Sequence, residues 1–250
     1  MNKATVIKIF LRSLFIHTTL NFRRMQNLGF AMSIIPLVRQ RQKKQKDVEE
    51  ILLRHLQMFN THPYFSAPII GSIVRLEVDY ADSGAVPDTV AVKQSLMGPY
   101  AAIGDIFFWG ALKPFAAVFA VVLAYAGLII APLAFLLIYT PAHIWVRFKG
   151  FIESYRRGKQ GIEFIRIMDL PRTAIRIRWC ITFILAGLVH WLLHIGFLPV
   201  INTIGILMKL TTLGIILGCF WLINKGISQV YILYSAAAIF LFISWKELLN

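Results

Sequence analysis

IFFWGALKPFAAVFAVVLAYAGLIIAPLAFLLIYTPAHIWV, residues 106–146, decides the fold class. Among strongly charged residues it holds only Lys113. At about 1.5 Å per residue, a helix of this length is roughly twice as long as one crossing of the hydrocarbon core. Pro114, Gly127, Pro132 and Pro141 offer places to bend. Two passes, or one pass with a re-entrant piece, follow. A second apolar region covers residues 179–245. Its first part, WCITFILAGLVHWLLHIGFLPVI, is long enough to span, LTTLGIILGCFWLI is short, and VYILYSAAAIFLFISW is marginal. One or three crossings are open there. An odd number puts the C-terminus outside, although Lys246 argues weakly the other way.

Composition agrees. Hydrophobic residues make up 58% and charged residues 15% of the 250, against about 45–50% and about 25% in soluble domains. With a mean hydropathy of +0.67, the surplus apolar surface needs lipid or partner subunits to cover it. The formal charge is +14. Its basic residues gather in blocks beside apolar runs, the positive-inside pattern, and no nucleic-acid motif accompanies them. The expectation is an all-α integral membrane protein with several transmembrane helices, broken or re-entrant hairpins and N-terminal amphipathic helices. It reads as one domain, residues 1–250, with no linker or internal repeat.

Four regions follow in order. Residues 1–59 are basic and amphipathic, and no cleavable signal peptide is evident. Ile7, Phe10, Leu11 and Leu14 recur at helical spacing, which suits a surface helix or one packed on the core. Arg39, Arg41, Lys43, Lys44 and Lys46 form a positive run. Asp47 with Glu50 reads as an acidic capping box opening a helix that stops before Pro63. The core, residues 60–146, starts with short apolar runs broken by Pro63, Pro68, Pro87 and Pro99 and by five acids, the pattern of re-entrant hairpins round a substrate site. Residues 147–178 carry nine Lys and Arg against Glu153, Glu163 and Asp169 and read as a cytoplasmic loop. Residues 179–250 hold the C-terminal spans. Cys180 and Cys219, far apart in apolar segments, read as small buried side chains.

No Walker loop, GxSxG, HExxH or paired CxxC is present, so an enzyme has no positive signal, and no cofactor or metal site is expected. His190 and His194 share a helix face, but two ligands are too few for a metal. In FNTHPYFSAPIIG (59–71), Asn60 and Thr61 suit a turn, or the neutral hydroxyls of a sugar. In VAVKQSLMGPYAAIGDIFFWG (90–110), Gly98-Pro99 and Gly104 are expected to break the helix twice. Lys93, Asp105 and, upstream, Glu77 are ionisable groups at the entry to the apolar region, where burial is expensive. A structural ion pair of Lys93 with Asp105 or Glu77 is the alternative to a substrate role, and the two can coexist.

NFRRMQNLGF (21–30), LRHLQMFNTHPYFSAPIIG (53–71) and VKQSLMGPYAAIGDIFFWGALKP (92–114) together resemble the IID component of the mannose–fructose–sorbose family of phosphotransferase systems. The likeness runs through residues 11–140 and continues more weakly over 153–169. It implies a non-enzymatic subunit of the bacterial cytoplasmic membrane, paired with a IIC subunit to form a sugar path. Cytoplasmic IIA and IIB partners then carry the phosphate, and three IIC–IID pairs assemble. Carried over residue by residue, Asn60, Lys93, Gly98 and Asp105 line or shape the sugar site, with Glu77 as a further candidate. Asn60 and Lys93 would donate to hydroxyls, and Asp105 would orient Lys93 or accept from the sugar. Residues 72–91 and 147–178 would face the cytoplasm and meet IIB. The chain departs from the family pattern at MDLPRTAIRIRWC (168–180), which carries Pro171 and three arginines, and is shorter between Ile206 and Leu213. A scaffold or sensor that no longer conducts is the alternative function. A lipid-directed enzyme would need a catalytic cluster that the sequence does not offer.

Overall fold

In the computed structural model, residues 1–41, 45–83, 89–197 and 203–248 are described, and they are helical with short connections. They form two compact units, Met1–Ala186 and Gly187–Asn250. The fold class expected from hydropathy is the one observed.

The first unit begins with α1 (Lys3–Ser13), α2 (Asn27–Arg41) and α3 (Gln45–His55). Asn2 caps α1 by accepting the Thr5 N–H at 2.8 Å. The helix buries Thr5, Ile9 and Ser13 and turns Ile7 and Leu11 outward. It therefore rests on the protein's own core, with Phe10 of the expected stripe packed against that core and Ile7 and Leu11 exposed. α3 opens at Gln45, two residues before the expected Asp47 cap, and ends at His55, well short of Pro63. Part of the basic run, Lys43 and Lys44, lies outside the described residues.

α4 (Ser66–Ser83) is the axis of this unit. Ile69, Ile70, Ile73 and Val74 are all at 0% exposure. Burial on consecutive positions encloses this part of the helix among its neighbours in the protein. α7 (Ala131–Arg157) crosses it at two reciprocal glycines. A Cβ on Gly71 of α4 would lie 2.7 Å from the Phe151 carbonyl of α7, and one on Gly150 of α7 would lie 2.7 Å from Pro68 of α4. Small residues let two membrane helices approach to backbone contact, where packing and not hydrophobicity supplies the attraction.

The chain does not break at Gly98-Pro99 or Gly104. α5 (Thr89–Gly104) runs straight through Pro99. At Gly104 it changes winding and continues as a π-helix, Asp105–Leu112, and then as α6 (Lys113–Tyr125). The wider π turn is visible where the Lys113 N–H reaches back to the Phe108 carbonyl. Carbonyls loosened by it have an outside donor. Arg178 of α9 (Leu170–Phe197) gives Nε to Gly110 O at 3.1 Å and Nη2 to Ile106 O at 3.4 Å. One of the three arginines of the divergent MDLPRTAIRIRWC stretch thus stabilises the polar interruption expected nearby.

Among the described residues, three helical runs are long and apolar enough to cross a membrane: Thr89–Tyr125, Ala131–Arg157 and Glu163–Trp191. The first two make the double pass expected from residues 106–146, turning at Gly127 with φ +75°. Residues 147–178 are not a loop. They form the end of α7, a tight turn at Gly158–Gly161, α8 (Ile162–Ile167) and the start of α9. Glu153 pairs with Lys149 at 3.3 Å and Arg157 at 3.1 Å, both one turn away, so the charges there support helix.

The second unit contains α10 (Thr203–Asn224) and α11 (Gln229–Leu248), joined at Gly226 with φ +85°. Cys180 is exposed and Cys219 half-buried, against the expectation of two buried thiols. A lipid-facing position and a core position are equally apolar in sequence, and only packing separates them.

Gly71→Ala and Gly150→Ala should each cost about 1–3 kcal/mol by overpacking the α4–α7 crossing. Gly218→Ala, in open space on α10, should be neutral or slightly stabilising. Thermal unfolding in detergent checks this; equal midpoints in all three would contradict it.

Candidate functional site

The three quoted motifs fold against one another. In the first, Asn21 accepts the Arg24 N–H at 2.8 Å and donates to Asn27 Oδ1 at 2.7 Å. Asn27 donates to Leu56 O at 2.7 Å. Gln26, 2% exposed, donates Nε2 to Thr61 O at 2.7 Å and accepts the Thr61 N–H at 3.3 Å. Its own N–H goes to Phe59 O at 2.8 Å. Residues 56–65 are not helical between α3 and the turn before α4, and the first motif supplies the backbone partners that a helix otherwise would.

The held segment then grips α5. Thr61 Oγ1 donates to Met97 O at 3.2 Å, and the Asn60 N–H points at Met97 Sδ at 3.3 Å. His62, 2% exposed, lies against Gly104, where any Cβ would overlap its ring. Its ring stacks on Phe108 at 5.3 Å and meets Trp109 at 4.8 Å and Tyr64 at 4.9 Å. Burial, with Arg147 and His17 adding to it, pushes His62 down to about 4, so the ring is neutral at physiological pH. The glycine expected to break the helix is instead the seat of this histidine.

Above the grip is a buried charge cluster. Glu77, 6% exposed, accepts from His55 Nε2 at 2.8 Å, Thr89 Oγ1 at 2.8 Å and Arg54 Nη2 at 3.2 Å. Burial alone would raise its carboxyl, but the bonds from His55 and Thr89 and the Arg54 charge outweigh that and hold it below the ordinary range. Burial lowers His55 despite Glu77, so it donates as a neutral ring. Lys93 is at 0% exposure. It gives Nζ to His55 O at 3.3 Å and lies 5.0 Å from the centre of the Phe30 ring.

The five sequence candidates therefore divide. Glu77 and Lys93 share the buried cluster, with Glu77 ion-paired to Arg54 and hydrogen-bonded by His55. Asn60, Gly98 and Asp105 are exposed. Asp105 does not orient Lys93. Twelve residues of helix, about 18 Å, separate them, and Asp105 makes no hydrogen bond or ion pair among the described residues. Gly98 and Asp105, seven residues apart, share a helix face. A Cβ on Gly98 would meet nothing within 4 Å. Gln94, one turn before Gly98, donates to Gln57 at 3.4 Å on the same open side. Sequence reasoning missed Gln26, Asn27 and His55. The polar motif around Asn21 was visible, but which backbone it served was not.

Glu77→Gln should lower stability at neutral pH by about 1–3 kcal/mol, the worth of a buried charge-assisted bond. Because Glu77 titrates lower folded than unfolded, its contribution is full above the ordinary carboxylate range and is lost as pH falls through its folded value. The variant should therefore lose less stability than the parent on acidification, and parallel pH–stability curves would contradict this.

The geometry can be set beside known proteins. Residues 1–249 match the family model for the IID component of the PTS mannose/fructose/sorbose family. The mannose-specific EIID component of Escherichia coli K12 is 27% identical, covering 93% of this chain and 89% of that protein. The fructose permease IID component of Bacillus subtilis is also 27% identical, covering 93% and 92%. The solved structure of the mannose transporter ManYZ with microcin E492 superposes with a TM-score of 0.60 at 25% identity, over 96% of this chain and 95% of that one. A structure described only as a membrane protein has the same fold, with a TM-score of 0.73. With a family match over nearly its whole length and three apolar helices of spanning length, the chain belongs to the IID family of mannose-type phosphotransferase systems, as a multi-pass sugar-transporter subunit of the bacterial cytoplasmic membrane.

Proposed function

We propose that this IID chain pairs with a IIC membrane subunit through the open face of α5, and that the two line the path of a hexose-type sugar. Cytoplasmic IIA and IIB subunits phosphorylate the sugar as it enters, and three IIC–IID pairs make the working complex. The observation that carries the reading is Asp105: a carboxylate exposed on the helical run Thr89–Tyr125, which is long and apolar enough to cross a membrane, with no side-chain partner among the described residues. Lipid does not tolerate a bare carboxylate, so a partner chain or a water-filled path must meet it. Asn60 and Gly98 stand on the open side with it. The likeness to the solved mannose transporter ManYZ supports a membrane partner for this chain as well.

In this reading the enclosed Lys93 and Glu77 do not touch sugar. They fix α3 to α5, and so place the Asn60 segment beside Met97. Asn60 is the neutral donor that a hydroxyl-rich cargo would meet, and Asp105 is the acceptor. The scaffold alternative keeps the same IIC contact and differs only in conducting no sugar.

Two substitutions separate contact from transport. Gly98→Leu adds bulk to an open face and should cut co-purification of IIC at least fivefold without unfolding the chain. Asp105→Asn keeps the shape and should leave IIC bound while lowering uptake in membrane vesicles tenfold or more. Full uptake by Asp105→Asn would remove Asp105 from the path. Absence of uptake by the parent complex with IIA and IIB present would favour the scaffold.

A further inference from the structure

We infer that α1 and the end of α7 form a binding site for an anionic phospholipid of the cytoplasmic leaflet. A groove of about 420 Å³ runs between them, within the usual range of about 300–1,000 Å³ for small-molecule sites. Val6, Ile7 and Phe10 form one wall and Phe148, Phe151 and Ile152 the other. Phe10 closes the floor, 5.6 Å from Phe148 and 5.3 Å from Phe151. Ile7 is 56% and Phe148 51% exposed, so the groove opens sideways to where acyl chains lie.

Its rim has the opposite chemistry. Lys3 stands at one end and Arg156 on the facing helix, and both are exposed. Neither makes an ion pair among the described residues. The nearby acid on α7 is already taken: Glu153 is shared by Lys149 and Arg157. Two free cations over an apolar trough match a phosphodiester over its acyl chains. A free phosphate would use the cations and leave the trough bare. A purely apolar ligand would leave the cations unpaired.

Position selects the leaflet. Arg156 lies next to the end of the apolar run Ala131–Arg157, whose C-terminal half carries Arg147, Lys149, Arg156 and Arg157. Clustered cations at the end of a span mark the cytoplasmic side. There, basic pockets between helices hold anionic headgroups. The lipid would fasten α1, whose outward stripe Ile7 and Leu11 already faces the bilayer, to the helix that crosses α4. The second basic pocket on α1, with Lys8, Arg12 and Arg39, is lined mainly by polar and charged groups and serves as the control.

The test is native mass spectrometry of the full chain, purified with its membrane partner and titrated with phosphatidylglycerol or phosphatidylcholine of identical acyl chains. The parent should retain phosphatidylglycerol about tenfold better. Lys3→Gln with Arg156→Gln should abolish that preference. Arg156→Lys alone, and Lys8→Gln with Arg12→Gln, should keep it. Equal retention of the two lipids by the parent would overturn the site. So would a preference that survives in the Lys3/Arg156 double variant, or displacement of the lipid by millimolar inorganic phosphate.

Discussion

A stretch of chain that is not helical must find partners for its N–H and carbonyl groups, and in a membrane protein water does not provide them. Residues 56–65 are such a stretch. Gln26, Asn27 and the Asn21–Met25 turn meet part of that need from one side, Met97 of α5 takes the Asn60 N–H, and His62 packs into the seat at Gly104. The buried Glu77 cluster then ties the helix before the stretch to the helices after it. This explains why three separated sequence motifs travel together: each is one part of a single polar clamp.

The clamp has two faces with different uses. Inward, Lys93, Glu77 and His55 are enclosed and hold one another, and His62 is enclosed separately among Tyr64, Phe108 and Trp109. Outward, α5 shows Gln94, Gly98 and Asp105, groups with little reason to sit in lipid. The π-helical winding from Asp105 onward keeps the helix continuous while changing its phase, so that Phe107 and Phe108 turn into the core and Asp105 and Trp109 stay out. A helix that broke there, as glycine and proline suggest from sequence, would have lost this register. Arg178 supplies the donors that the wider turn requires.

How much of this was legible beforehand varies with the physics. Hydropathy over residues 106–146 allows two passes, or one with a re-entrant piece, and the turn at Gly127 between two helices of spanning length fits two. Pro99 misleads because a proline in a membrane helix is tolerated where neighbours stabilise the freed carbonyl. Residues 147–178 mislead because charge density suggests a loop, while the spacing of Lys149, Glu153 and Arg157 supports a helix. Lys93 stands out in sequence as an ionisable group in an expensive place, yet its depth is invisible there, since burial depends on Phe30 and His55, far away in sequence. The inward and outward members of the candidate site differ by a rotation about α5, which residue type alone does not reveal.

The account depends on the outward face of α5 meeting another protein. Site-specific photo-crosslinking tests it directly, with a photoreactive residue at Ala102, exposed between Gly98 and Asp105, or at Phe183, 70% exposed on α9. In cells making both subunits, Ala102 should capture IIC and Phe183 should capture lipid. Capture of IIC from Phe183 and none from Ala102 would contradict the account.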